Sequence, residues 1–386
     1  MVRHPWRRAG ACIIGLVTAA CFVDGGVHRT SFQLRRTALQ ADAAPEPRDG
    51  VDWDGLGFGL TTKATQMVVA KCPLGSQWSD FEVQPYGPLQ LEPATTALNY
   101  GQSIFEGLKA FRTSKGRIVL FRPDKNAERM AGGAERFLMP PVPRDLFMQM
   151  CRDAVRANAD WVPPTGKGSL YMRPLLFGSG PALGVGPSSE FTFVIYVAPV
   201  GSYFSGSGAR LRIERGHHRA AELGVGDVKA AGNYAPCFSP QKDAKAAGFS
   251  DILYFDPSGE RVEEAAASNF FCITEDGVLK TPELGTILSG VTRDSILQLA
   301  RNMAASGGLS GVQEGTVTWD DILSAKEAFV SGTAAAVTPV EHIGEAGQEV
   351  DLPSPGPVTS KLKETYLDIQ QELRPDSEGW LVDAFS

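Results

Sequence analysis

Lys229 stands in a run of small residues, Gly224-Val225-Gly226-Asp227-Val228-Lys229-Ala230-Ala231-Gly232-Asn233-Tyr234, with a tyrosine five positions on. Small neighbours leave room for a flat ligand beside an amine, and enclosing walls favour the uncharged form of a lysine. A neutral amine is the species that forms Schiff bases with carbonyl cofactors. Thirty-five residues after the lysine, Glu264 and its neighbour Glu263 lead into a second small-residue turn, Ala265-Ala266-Ala267-Ser268. A phenol and a carboxylate are the groups that tune the electronics of such a cofactor. Taken alone, Lys229 reads as an ordinary solvated loop residue. Its neighbours must decide.

Four further stretches carry chemistry. Leu98 to Phe111 holds Tyr100, Phe105 and Glu106. Arg129 lies in Asn126-Ala127-Glu128-Arg129-Met130 on a helix predicted from Asp124 to Phe137, with Asp124 placed to cap it. Its planar fork matches phosphate or carboxylate, although a lone helical arginine also reads as a surface residue. Tyr171 and Arg173 alternate in Leu170-Tyr171-Met172-Arg173-Pro174 and so face one side of a strand, which Pro174 marks as an edge or an end. The last stretch is a pair of turns. Gly290-Val291-Thr292 leads into a helix expected from Arg293 to Arg301, offering free amides and a hydroxyl at the positive end of its dipole. Ser331-Gly332-Thr333 offers a second set. The pair reads as an anion cradle, and each turn singly as an ordinary cap or bend.

The elements that must position these residues alternate in kind. Arg117–Phe121 and Phe191–Val197 read as strands, and Pro140-Pro141 ends the segment after the helix of Arg129. Residues 201–209, rich in glycine and serine, form an interdomain connector or flap. Beyond it come strand Leu211–Ile213, helix Pro240–Ala247, strand Asp251–Phe255, the turn Asp256-Pro257-Ser258-Gly259, and strands around Arg261–Glu264 and Phe270–Thr274. Strands joined by tight turns with helices between them predict an α+β fold. Two domains follow, a smaller one over 49–200 and a larger one over 210–386, with the ligand in the cleft between them. Gly178 to Gly184 misses the dinucleotide-binding spacing by one residue and lacks its strand–turn–helix setting.

The chain has 386 residues, 43% of them hydrophobic, and a net charge of −7, which argues against nucleic acid as the main partner. Charge is uneven: residues 1–40 hold six arginines and one acid, so the remaining 346 carry −12. Arg3, Arg7 and Arg8 precede an apolar run from Ala11 to Val23, too short for a comfortable membrane span. A basic, hydroxylated, acid-free segment around His28 to Thr37 follows. A signal-like segment followed by a transit-like one resembles the two-part leader of plastids acquired by secondary endosymbiosis. A mitochondrial or secretory leader fits the same residues, with a membrane anchor as a third choice. Residues 1–48 are therefore expected to be leader and linker, disordered or cleaved, and the mature chain to make no stable membrane insertion. Six cysteines show neither a CxxC nor a Cys/His pattern, so neither a disulfide framework nor a metal site is expected.

The phrases LNYGQSIFEGLKAF, FRPDKNAERM, SLYMRPLLFG, KAAGNY, VEEAAASNFF, LSGVTRD and SGTAAAVTPV resemble those of the branched-chain amino acid aminotransferases, which are fold-type IV pyridoxal-phosphate enzymes akin to D-amino acid aminotransferase. The resemblance runs from about Asp52 to Trp380. It implies transfer of amino groups between leucine, isoleucine or valine and 2-oxoglutarate, using pyridoxal 5'-phosphate, in a homodimer. It further implies that Lys229 holds the cofactor and shuttles a proton, that Glu264 keeps the ring nitrogen protonated, and that Tyr234 meets the phenolic oxygen. Arg129, Val291, Thr292 and Thr333 are implied to bind the phosphate. Tyr100, Phe105 and Tyr171 are implied as walls of the substrate pocket, and Arg173 with the Thr333 and Ala334 amides as the carboxylate site. Tyr203 and Phe204 match the interdomain loop. Three positions depart from the pattern. Ala231 replaces a usual glycine, and Ala335 and Thr338 stand where animal mitochondrial relatives carry a thiol pair. Other readings are a D-amino acid aminotransferase, an aminodeoxychorismate lyase or a catalytically silent homologue.

Overall fold

The computed structural model describes residues 44–60, 64–204, 208–345 and 347–386; most of the expected leader, and residues 205–207 of the expected flap, lie outside them. Residues 44–48, read from the sequence as linker, lie against the chain at two points. Arg48 makes an ion pair with Asp160 at 2.8 Å and covers the Trp161 ring, and Arg112 donates to the Pro45 carbonyl at 2.8 Å.

Two sheets organise the rest. The first is antiparallel and runs Leu381–Asp383, Ile118–Phe121, Leu108–Arg112, Ser169–Gly178, Glu190–Val200, Gln66–Pro73, Glu82–Pro85, with Ser103–Phe105 paired to the far end of Ser169–Gly178. One face buries Leu170, Met172, Phe193 and Ile195 beneath helices Pro123–Arg136 and Arg144–Arg156. Period-two alternation turns Tyr171, Arg173 and Leu175 to the other face. The C-terminal strand Leu381–Asp383, expected with the second half, closes this sheet's edge.

Pro174 corrects the sequence reading. It lies within the ten-residue strand Ser169–Gly178, which has neighbours on both sides. The strand beside it is broken at Glu106-Gly107, between Ser103–Phe105 and Leu108–Arg112. The Pro174 carbonyl accepts from the Glu106 N–H at 2.7 Å, so the ring's missing N–H faces that break.

In the second sheet, Val262–Ala265, Asp251–Phe255, Ala209–Glu214, Ala336–Glu345, Glu327–Gly332 and Asn269–Ile273 are successive neighbours. A further pairing of Glu264 with Asn269 joins the two ends, closing a six-stranded barrel. Leu211, Ile213, Leu253, Phe255, Phe270, Val330 and Val340 pack together in its core. Ile252 and Tyr254, on the other face of their strand, pack with Cys237 and Ala244 from the segment leading into and through helix Phe238–Ala246. A separate cluster joins the sheets, with Phe111 and Phe121 meeting Phe271, Phe329 and residues of helices Val291–Ala305 and Pro357–Gln370.

Helix ends differ from expectation. The helix of Arg129 starts at Pro123 with Arg122 as its cap residue at φ 48°, so Asp124 lies in the first turn and does not cap. Helix Val291–Ala305 begins two residues before the expected Arg293. Among the described residues, no helix is long and apolar enough to cross a membrane.

Candidate active site

The cleft that collects the chemistry holds about 480 Å³ and is lined by both sheets. Lys229 reaches it from a loop tied down at both ends. The Phe105 N–H donates to the Lys229 carbonyl at 3.1 Å, and the Asn233 amide donates to the Val225 and Val228 carbonyls at 2.7 and 2.9 Å. The Lys229 Nζ donates to the Tyr234 hydroxyl at 3.2 Å and lies 4.8 Å from the Phe105 ring centroid. Ala231 also lines the cleft and is only partly buried, so its methyl is not pressed into a closed core.

Glu264 sits at the barrel seam and is fully enclosed. Its carboxylate takes the Arg219 guanidinium, the Asn269 amide at 3.2 Å and the Leu288 N–H at 3.3 Å. Burial pushes this carboxyl up, and Arg219 offsets part of the penalty. Arg219 also donates to the Ala266 carbonyl at 3.0 Å and to the Tyr234 hydroxyl at 3.4 Å. Burial raises a phenol's pKa, but the charges of Lys229 and Arg219 overcome it and hold Tyr234 below its ordinary value. Between Glu263 and Glu264, which the sequence leaves adjacent, only Glu264 faces the cleft.

Opposite these groups lies the anion end. The Arg129 guanidinium donates along its Nε–Nη2 edge to both oxygens of Glu106, at 2.7 and 2.6 Å, and through Nη1 to the Ser289 carbonyl at 2.8 Å. Glu106 is wholly buried and is itself held by the Asn126 amide at 2.7 Å. Val291 and Thr292 are the first two helical residues, whose N–H groups have no partner within the helix. The Thr292 hydroxyl lies 3.4 Å from the Tyr366 hydroxyl, and Thr333 spends its hydroxyl on the Gly107 carbonyl at 3.0 Å. With its hydroxyl proton spent on Gly107, Thr333 offers the cleft its backbone amide. Two glycines permit the close fit. A Cβ on Gly107 would collide with the Tyr171 hydroxyl, and one on Gly290 would collide with Asn269 Oδ1.

The third wall is aromatic. Tyr171 packs edge-on to Phe58, which packs on Tyr203, with centroids 5.1 and 5.0 Å apart. Burial pushes the Tyr203 hydroxyl up to about 12. Arg173 lies over Phe105 at 4.7 Å and donates to the Tyr171 hydroxyl at 3.4 Å, while its Nε is buried without a partner. Ala334 lines the same cavity, and its carbonyl accepts from Lys109 Nζ at 3.4 Å. Burial brings that amine down to about 8.

Residues 103–343 match the family model of the class IV amino-transferases. The branched-chain-amino-acid aminotransferase 3, chloroplastic, of Arabidopsis thaliana is 44% identical over 366 residues, covering 93% of this chain and 87% of that one. The Arabidopsis branched-chain-amino-acid aminotransferase 6 is 42% identical over 351 residues, covering 90% and 96%. The chain belongs to the branched-chain aminotransferase family.

The crystal structure of a T.th. branched-chain amino acid aminotransferase with pyridoxamine 5'-phosphate superposes on this aminotransferase with a TM-score of 0.69 at 29% identity, covering 83% of this chain and 99% of that one. Of the site residues expected from sequence, Lys229, Tyr234, Glu264, Arg129, Val291, Thr292, Thr333, Phe105, Tyr171, Arg173 and Ala334 line one cavity in this aminotransferase. Tyr100 does not. It ends the short helix Thr96–Tyr100, where Gly101 turns left-handed, and its hydroxyl donates outward to the Leu183 carbonyl. Arg219, Glu106, Asn269 and Phe58 went unassigned in the sequence. Glu106 and Asn269 lie inside phrases that carry the family resemblance; Arg219, amid His217-His218-Arg219, has no such signal.

Where animal relatives are expected to carry thiols, the Thr338 hydroxyl donates to the Ala335 carbonyl at 2.8 Å. The four described cysteines are free and buried.

Proposed function

We propose that this aminotransferase moves amino groups reversibly between L-leucine, L-isoleucine or L-valine and 2-oxoglutarate, with pyridoxal 5'-phosphate in the cleft. The observation that carries this reading is the meeting, on one cavity, of the Lys229 amine, the Tyr234 hydroxyl and the Arg219–Glu264 pair, with Arg173 among aromatic rings opposite. The donor set fits the cofactor: one end gathers Arg129 and helix-start amides for a phosphate, the other a buried carboxylate for a ring nitrogen.

When bound, the cofactor supplies an electron sink for the carbanion left at the substrate's Cα. Lys229 takes the Cα proton on Nζ and returns it on the other side of the transfer. Glu264, held by Arg219, would keep the ring nitrogen protonated. Tyr234 holds the phenolic oxygen, and Arg219 keeps that hydroxyl oriented. Arg129, Val291, Thr292 and Thr333 grip the phosphate. Arg173 and the amides of Thr333 and Ala334 take the substrate carboxylate, while Phe58, Phe105 and Tyr171 exclude water around an aliphatic side chain.

The purified full chain is expected to carry a near-ultraviolet to visible chromophore, lost in Lys229→Ala, and to exchange amino groups between leucine and 2-oxoglutarate. Absence of both would overturn the reading. Faster turnover of D-alanine than of L-leucine would move the chain to the D-amino acid enzymes, and faster turnover of methionine would shift the substrate assignment alone.

Two wider readings belong with this one. The first is a homodimer. Leu98, Tyr100, Leu183 and Val185 form exposed apolar surface, with Leu183 at 93% and Val185 at 89%, and Tyr100 tied to the Leu183 carbonyl. Tyr100, outside its own cleft, then stands near its partner's. The second is plastid residence. Leader composition and the chloroplastic relative support it, and a fluorescent fusion of residues 1–60 tests it against a mitochondrial address.

A further inference from the structure

The wall that carries Lys229 and Glu264 has a reverse side. We propose that the hollow behind it binds a small organic cation with N–H donors, an alkylguanidinium or alkylammonium, through Glu263.

This hollow holds about 740 Å³, more than the cleft itself, and shares only its wall with it. Alternation along Val262–Ala265 sends Glu264 forward into the cleft and Glu263 backward. Asp227, two residues before the cleft lysine, faces the hollow as well. Glu263 is 5% exposed, and its Oε2 is buried with no hydrogen-bond partner. An ionised carboxylate in that setting is costly unless a cation reaches it.

The two cations nearest Glu263 are committed elsewhere. Arg219 holds Glu264 and the Ala266 carbonyl, and Arg261 holds Asp256 at 2.9 Å. Arg136 lies exposed at the margin. Glu222, Asp227 and Glu283 add negative charge to the lining. Burial, with the Glu264 and Asp256 carboxylates nearby, pushes Glu263 up to about 7, against which Arg219 and Arg261 act weakly. An arriving cation removes that penalty.

The shape argues for a molecule over a bare ion. Among the described residues, no three His, Cys, Asp or Glu side chains converge as metal ligands. Val262, Leu284 and Ile287 supply apolar wall for an alkyl stem. A guanidinium meets a carboxylate on two parallel N–H groups, one to each oxygen, which suits a lone carboxylate such as Glu263.

The test is calorimetric titration of the full-length holoenzyme with n-butylguanidinium chloride, which has no primary amine to condense with a carbonyl in the cleft. One saturable site per chain is expected, weakened about tenfold or more in Glu263→Gln, the loss of a charge-assisted contact. Glu283→Gln is expected to weaken it less and in a salt-dependent way. Saturation with 4-methylvalerate, leucine without its amino group, is expected to leave binding unchanged. Absence of saturable binding, equal binding by Glu263→Gln and wild type, or displacement by 4-methylvalerate would each overturn the proposal.

Discussion

At the scale of single residues, the sequence exposed the groups that face the cleft and concealed those that hold them. Arg129 was legible because a fork-shaped cation on a helix suits an anion. Its partner Glu106 was not, because its role depends on a strand break that brings two segments together. Glu106 grips one edge of Arg129 with both oxygens in a buried setting. Glu106→Gln therefore leaves a buried guanidinium without its countercharge, a loss on the order of 3–5 kcal/mol. A phosphate in the cleft offers Arg129 a second anion, so the loss should be larger without pyridoxal phosphate than with it. Denaturant unfolding in both states measures this, and equal losses would refute the assigned link.

Glu263 makes a prediction of pH. Its folded value is about 7 against an ordinary 4.5. Below pH 4.5 both folded and unfolded chains hold this proton, and the group costs nothing. Between 4.5 and 7 the unfolded chain releases it first, so stability falls as pH rises and levels off above 7. Glu263→Gln cannot lose the proton. It should match wild type near pH 4 and exceed it by roughly 2–3 kcal/mol at pH 8. Parallel stability curves for the two proteins would contradict the burial argument.

At the scale of elements, strands and turns were legible where alternation and glycine punctuate them. Asp251–Phe255 lies where sequence predicts it. Barrel closure was not legible, because it rests on one pairing, Glu264 with Asn269, between strands joined by a short turn. Helix Arg144–Arg156 had a readable signal, with Phe147, Met150, Cys151, Ala154 and Val155 on one face. Asn269 links the seam to the start of helix Val291–Ala305, donating to Glu264 and to the Leu288 carbonyl. Gly290→Ala drives a methyl against Asn269 Oδ1. The expected cost is roughly 1–3 kcal/mol with weakened cofactor retention. Adding Asn269→Ala to Gly290→Ala should return part of the stability while cofactor retention stays weak, since the clash goes but so does the Glu264 contact. Strict additivity of the two stability losses would show that the residues do not meet.

At the scale of the whole molecule, the surface is uneven in a way that composition hides. The chain carries net negative charge, yet Leu183 and Val185 stand almost fully exposed within a few residues of each other. Monomeric surfaces seldom present large neighbouring aliphatic groups together with an exposed tyrosine. Tyr100 is bound to this loop through the Leu183 carbonyl, so the residue sequence assigned to the pocket and the loop behave as one patch. If that patch docks beside the partner's cleft across a two-fold axis, one charge introduced there appears twice in the interface, once on each protomer. Leu183→Glu should therefore shift the full-length protein from dimer to monomer in sedimentation equilibrium at micromolar concentration. Because Tyr100 would then have no partner cleft to approach, KM for leucine should rise in the same variant while the Lys229 chromophore persists. A wild-type protein that sediments as a monomer, or a Leu183→Glu protein that remains dimeric with unchanged KM, would place the dimer contact elsewhere.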